Sequence, residues 1–236
     1  MHNRPVSFWG EWLAKKQVDQ SQPPKLNLQS KKLERMLKTT RNSLATEKFV
    51  LTRLDNQKDF CCTNLFDCGD EDLNEFFQKD AYNHRLELLT QTFYLQDKAT
   101  RNYLLLPVAF ISFLNDNIRI PENHKTGKLK DFWKHMKDSV PEPKLHYLSY
   151  PAVKIARLGV KKDFQGMNIG TYLLNMVKEL FLTDNRTGCR FITVDAYNRA
   201  EVIKFYEKNG FMFLWEKDKA KESRIMYFDL KFFNLK

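Results

Sequence analysis

The residues best suited to chemistry stand together in "KKDFQGMNIG", Lys161 to Gly170, which follows the apolar alternation "VKIARLGV" and runs into "TYLLNMVKELFL". A strand, a glycine-containing turn and a helix start, in that order, point backbone N–H groups at an anion, the arrangement that binds phosphate. Three phosphate-binding patterns compete for the stretch. A Walker A loop needs Gly-Lys followed by Ser or Thr; here Gly170 runs directly into Thr171 and the Lys is missing. A dinucleotide fingerprint needs G-x-G-x-x-G and an acidic residue about twenty positions on; Gly166 and Gly170 have the wrong spacing. The pattern Q-x-x-G-x-G fits, with Gln165, Gly166, Met167, Asn168, Ile169 and Gly170 forming the turn and Thr171 starting the helix. Asn168 stands where that pattern prefers Gly, a mild departure because Asn tolerates a left-handed backbone. The turn and the helix dipole behind it are expected to hold a pyrophosphate.

A second cluster, "VDAYNRAEVIKFYEKNGF", lies about thirty residues on and carries Asn198, Phe205, Tyr206, Gly210 and Phe211, with Ala200 one place early for the short form N-x-x-A-x-x-F-Y-x-x-x-G-F. With both motifs in this order the chain resembles the GNAT superfamily of acetyl-CoA-dependent N-acetyltransferases over residues 47–236. The resemblance implies an α/β fold, a mixed central β-sheet flanked by helices, and acetyl-CoA as co-substrate without a metal. It implies that Leu158, Gly159 and Val160 meet the pantetheine arm, that Asn198 touches the cofactor and that Tyr206 stands near the thiol. In that chemistry an amine attacks the thioester carbonyl, an oxyanion develops and coenzyme A leaves as a thiolate. A Tyr hydroxyl with a pKa of about 10 can donate a proton to it, which makes Tyr206 the general acid, and the backbone N–H of Val160 is the expected oxyanion donor. For the general base Asp195, Glu201 and His146 are all candidates; an α-amino acceptor with a pKa of about 8 could also lose its proton to water.

The stretch "LFDCGDEDLNEFFQKDA", with Phe66, Cys68, Leu73, Asn74 and Phe77, followed by "YPAVKIARLGVKKDFQGMNIG", resembles the GNAT branch that contains toxins acetylating the amino group of aminoacyl-tRNA. That branch implies an RNA acceptor on a basic surface, for which Lys125, Lys128, Lys130, Lys134, Lys137, Lys144, Arg157, Lys161 and Lys162 are available. It also implies an antitoxin partner, and the superfamily implies a homodimer. A small-molecule or protein amine acetyltransferase would carry the same cofactor motifs. A non-catalytic nucleic-acid or partner-binding module on the same scaffold is the alternative from another class, against which Tyr206 and Asn198 speak.

The elements that position these residues follow from periodicity. "KFVLTRL" alternates as a strand, and "DCGDEDLNEFFQKDAYNHRL" places Leu73, Phe76, Phe77 and Tyr82 at helical spacing behind acids that suit a helix N-terminus. "TQTFYLQD" and "YLLLPVAFISFLN" read as a strand pair. Residues 116–150 read as a basic insertion with a helix at "KLKDFWKHMKDSV". Then come strand "AVKIARLGV", helix "GTYLLNMVKELFLT", strand "RFITVDA", helix "AEVIKFYEKNG", strand "FMFLWEKD" and strand "RIMYFDL".

The 236 residues, 42% hydrophobic, suffice for one domain with a real core. Net charge is +10, and residues 1–48 hold ten basic against four acidic residues, +6 of that excess. We read residues 1–46, with the polar "QVDQSQPPKLNLQSKK" and a short helix at "KKLERMLKTTRNSL", as a basic extension or linker ahead of the 47–236 domain. Without a long apolar run or a secretory signal, a cytoplasmic protein off the membrane is expected. Cys61, Cys62, Cys68 and Cys189 lack zinc-site spacing and are expected to be idle thiols.

Overall fold

The computed structural model describes residues 48–55, 63–97, 106–119, 149–185, 188–215 and 218–233. The N-terminal extension and the helix expected within the insertion lie outside the described residues, as do Cys61, Cys62 and His146. Among the described residues, seven strands form one sheet in the order β1-β2-β3-β4-β5-β7-β6. They are β1 (Phe49–Arg53), β2 (Gln91–Asp97), β3 (Pro107–Arg119), β4 (Ser149–Val160), β5 (Phe191–Tyr197), β6 (Met212–Phe213) and β7 (Ser223–Asp229). Every neighbouring pair is antiparallel except β4 and β5, which run parallel. The helices are α1 (Glu71–Glu75), widened by a π-turn at Phe76–Asp80 into α2 (Ala81–Leu86), then α3 (Ile169–Thr183) and α4 (Ala200–Lys208). This is the mixed α/β sheet with flanking helices expected from the element order.

Two boundaries differ from the periodicity reading. β3 runs on to Arg119 and β4 begins at Ser149, so the ends of the supposed insertion are ladder. The strand expected from "FMFLWEKD" shrinks to Met212–Phe213, because Arg224 stacks over the Phe213 ring at 3.8 Å and its guanidinium donates to Asp218 and to the Trp215 carbonyl. A buried Asp218 carboxylate with its Arg partner forces a turn where alternation alone would continue the strand.

The register sorts the helices onto two faces. On one face, Tyr94 and Phe110 lie opposite each other on β2 and β3 and pack with Phe66 from the loop ahead of α1 and with Phe76, Phe77 and Ala81 from the α1–α2 segment. Phe110 stacks on Phe77 at 4.3 Å. On the other face, Phe49 meets Tyr172 and Phe113 meets Phe181, both from α3. α1 starts where Asp70 caps it, accepting from the Leu73 N–H, with Glu71 and Asp72 in the first turn. Among the described residues, no helix is long and apolar enough to cross a membrane.

Candidate active site

The site begins where the parallel pair stops. β4 and β5 are paired only from Ala152–Ile155 to Phe191–Val194, while β4 stays paired with β3 to Val160. Beyond Ile155 the two strands part and leave one edge of β4 open. Lys161 donates its N–H to Val108 on β3. In a strand, successive N–H groups alternate sides, so those of Leu158 and Val160 point into the gap and that of Gly159 points to β3. A main-chain donor pair facing an open fork can pair with an extended ligand and can hold an oxyanion.

A cavity of about 850 Å³ runs through the fork and is lined by Leu158, Val160, Gln165, Gly166, Asn168, Ile169, Gly170, Thr171 and Tyr206 among the residues expected at the site. The structure leaves three expected residues out of this lining. Met167 is turned to solvent. Gly159 presents its Cα to Phe110, whose ring a Cβ would approach to 2.6 Å. Asn198 donates its amide to the carbonyls of Lys219 and Lys221, at 3.0 and 2.9 Å, and ties the 218–222 turn to the end of β5.

The turn itself takes the conformation its sequence suggests. Gly166 has φ +77°, and Asn168 sits in the left-handed region at φ 61°, ψ 14°, as the N-cap of α3. With its side chain making no cap bond, the N–H groups of the first turn of α3 face the cavity mouth. Gln165 spends its amide internally, donating to the carbonyls of Cys68 and Val160 at 2.8 and 2.9 Å. It therefore fixes the turn to the end of β4 and to the loop ahead of α1. Lys162 reinforces that clasp, donating to Asp67 at 2.7 Å. Hydrogen bonds from Lys162, Asn74 and the Gly69 N–H hold the Asp67 carboxyl down to about 2.

α4 supplies the phenol. Tyr206 is buried between Phe205 and Phe211, yet it lines the cavity. Burial pushes its hydroxyl well above the usual phenol range, because a phenolate there would lose its water. The side chain is thus a fixed, protonated donor. Two residues position its helix that periodicity does not mark. Lys178 of α3, inside the core, donates to the Asn209 carbonyl at 2.7 Å with its ammonium 4.1 Å from the Phe228 ring centre. Burial pushes that ammonium down to about 7. Lys208 reaches across to the Asn168 side chain at 3.4 Å and brings a cation to the turn.

The opposite wall is charged. Arg157 pairs with Asp72 of α1 at 3.3 Å, and Lys154 pairs with Asp195. Of the cations assigned to an RNA surface, Arg157 is thus paired, Lys161 pairs with Asp163 and Lys162 with Asp67, while the six from Lys125 to Lys144 lie outside the described residues. Among the base candidates, Asp195 and Glu201 both line the cavity. Cys68 and Cys189 are buried free thiols, both pushed up by burial.

Residues 140–212 match the family model described as "Acetyltransferase (GNAT) domain". A sequence comparison with curated proteins finds no match. Solved structures share the fold at low identity. A mutant of KacT is 17% identical with a TM-score of 0.60, covering 78% of this chain and 96% of its own. AtaT complexed with acetyl-methionyl-tRNAfMet is 17% identical, with a TM-score of 0.59 and coverage of 78% and 95%. A mutant AtaT toxin bound to the C-terminus of the antitoxin AtaR and acetyl-CoA is 16% identical, with a TM-score of 0.56 and coverage of 78% and 94%. Residues 140–212 thus match a GNAT acetyltransferase domain model, and the chain shares the fold of these solved acetyltransferase toxins.

Proposed function

We propose that the protein transfers the acetyl group of acetyl-CoA directly to a primary amine, within a ternary complex, and that the amine is the α-amino group of an aminoacyl-tRNA. The observation that carries the transfer reading is one continuous cavity joining the Gln165–Thr171 turn, the open edge of β4 and the Tyr206 phenol. The pyrophosphate of acetyl-CoA belongs at that turn, on the α3 N-terminus with Lys208 beside it. The thioester then lies in the fork, where the N–H groups of Leu158 and Val160 face inward. The amine attacks the carbonyl carbon, the C–S bond breaks, the nitrogen gives its surplus proton to water, and the sulfur takes a hydrogen bond and then a proton from Tyr206, which water reprotonates. A thiol has a pKa of about 8.5 and an ordinary phenol about 10. Full transfer from a buried phenol is therefore uphill, and the contribution of Tyr206 is mainly that of a preorganised donor to developing charge.

The tRNA acceptor is supported by the resemblance of "LFDCGDEDLNEFFQKDA" and by the shared fold with AtaT solved with its acetylated tRNA, and an antitoxin partner by the AtaT–AtaR complex. The test is acetyl transfer from acetyl-CoA to aminoacyl-tRNA and to a panel of free amines. A Tyr206→Phe variant should lose about 10²-fold in kcat while still binding acetyl-CoA. Unchanged turnover removes Tyr206 from the chemistry. Free amines acetylated as efficiently as aminoacyl-tRNA overturn the acceptor.

A further inference from the structure

A β-bulge decides which wall of the cavity is chemically distinct. The β3–β4 register shifts between Ser112 and Phe113, so Arg157 lies opposite Ser112 and Ile155 opposite Phe113, with Ala156 as the extra residue. Simple alternation would set Lys154 with Leu158 and Val160. After the bulge, Lys154 lies opposite Leu114 and on the same face as Arg157, the face covered by α1, where Arg157 stands over Phe76 at 5.2 Å. β5 agrees with this: Val194 pairs with Ile155 on the α3 face, so Asp195 and Tyr197 turn to the α1 face. The cavity therefore has two halves. The α3 half holds Tyr206, Ile169, Leu158 and Val160; the α1 half holds Lys154, Asp195, Tyr197, Arg157, Asp70 and Asp72.

The α1 half carries three carboxylates, Asp70, Asp72 and Asp195, and three cations, Lys154, Arg157 and Arg199, the last 5.3 Å from the Tyr197 ring, so what distinguishes the carboxylates is how each is committed. Asp70 is committed to capping α1 and Asp72 to Arg157. Asp195 differs, because its partner is a single flexible lysine. It stands one residue past the last β4–β5 pair, so its strand edge toward β4 is free. The pair is open to water, with Asp195 43% and Lys154 27% exposed, and exposed ion pairs exchange readily. Lys154 is itself a primary ammonium held inside the cavity by this carboxylate.

With the donor in the α3 half the acceptor is left the α1 half, and we propose that there Asp195 receives the acceptor's amino group in the place Lys154 occupies. This rests on the transfer reading above, since only a donor seated in the α3 half leaves the α1 half to the acceptor. An α-amino group with a pKa of about 8 arrives largely as an ammonium at neutral pH. The carboxylate holds it as Lys154 swings aside, and the proton it must shed before attack goes to water.

The inference gives two adjacent substitutions opposite signs. Lys154→Met removes the competing ammonium and should lower the acceptor KM a few-fold. Asp195→Asn should raise the acceptor KM about 10-fold, with acetyl-CoA affinity by calorimetry unchanged in both. A pair that merely braces two strands would weaken both variants alike. Binding of methioninamide, a small aminoacyl ammonium, followed by NMR separates this inference from the transfer reading, because it needs no turnover. Wild type and Lys154→Met should bind it, and Asp195→Asn about 10-fold more weakly, with melting temperatures checking that each variant is folded. Equal binding by Asp195→Asn and wild type, or KM changes of the same sign in both variants, overturns the proposal. If methioninamide binds as expected but wild type acetylates no amine, the transfer reading fails while this pocket stands.

Discussion

Within β4 the chain passes from a strand with two neighbours to a strand with one. Ala152–Ile155 are paired with both β3 and β5, and their apolar residues Ala152, Val153 and Ile155 are buried. Beyond the bulge at Ala156, Arg157–Val160 are paired with β3 alone, and Ala156, Leu158 and Val160 line the cavity. The two halves share one sequence style, so composition does not separate them. The difference lies in the partner: β5 turns into α4 after Tyr197, and β4 continues into the turn that starts α3. An unpaired strand edge is normally a liability. Here it is shielded inside a cavity, where its main-chain donors are open to a ligand, so the same feature that would promote aggregation at a sheet rim lines the candidate site.

The largest way to break that contrast acts on the open half's chemistry, the Tyr206→Phe loss of about 10²-fold in kcat, with the protein's stability nearly unchanged. The paired half should behave in the opposite manner. Val153→Ala should cost about 1–3 kcal/mol of stability, read from urea midpoints, with kcat of the folded fraction retained. Gly159 sharpens the boundary, because it sits in the open half and yet serves the core. A Cβ there meets the Phe110 ring at 2.6 Å, so Gly159→Ala should destabilise by about 1–3 kcal/mol through Phe110 and its stack on Phe77. Asn168→Ala keeps the turn but strains its left-handed residue, for a loss of about 1–2 kcal/mol and a raised acetyl-CoA KM, whereas Asn168→Gly should restore both.

The last prediction is one of pH. Burial holds the Lys178 ammonium down to about 7, against 10.5 for an unburied lysine. Below pH 7 both folded and unfolded chains carry the proton, and this residue adds no slope. Between pH 7 and 10.5 the unfolded chain binds more protons, so stability rises with pH across that window. Urea midpoints at pH 7 and pH 9.5 should show that rise in the wild type and a smaller one in Lys178→Met, which keeps the volume and removes the titration. Equal slopes would mean that Lys178 keeps its ordinary proton affinity inside the core.

Much of the site was legible residue by residue. The helical spacing of Leu73, Phe76 and Phe77 and the acids ahead of them located α1, and Asn168 in a glycine position announced a left-handed turn, because only a few side chains tolerate that backbone. Tyr206 was readable because its motif places it one turn from Gly210. Asn198 was readable as a motif residue but not as a contact, since its amide bonds to a turn more than twenty positions away in sequence. Arg157, Lys161 and Lys162 were legible as charges, while their acidic partners Asp72, Asp163 and Asp67 are largely distant in sequence and so escaped a reading by local pattern.

By itself the sequence determined the order of strands and helices, the conformation of the Gln165–Gly170 turn and the presence of a phenol one motif later, because each is a matter of local backbone preference and short-range spacing. Only the tertiary structure decided where β4 and β5 part, which face the extra residue Ala156 gives to Lys154, and that Lys178 sits inside an aromatic core. Those depend on register, bulges and desolvation, which arise when segments far apart in the chain meet.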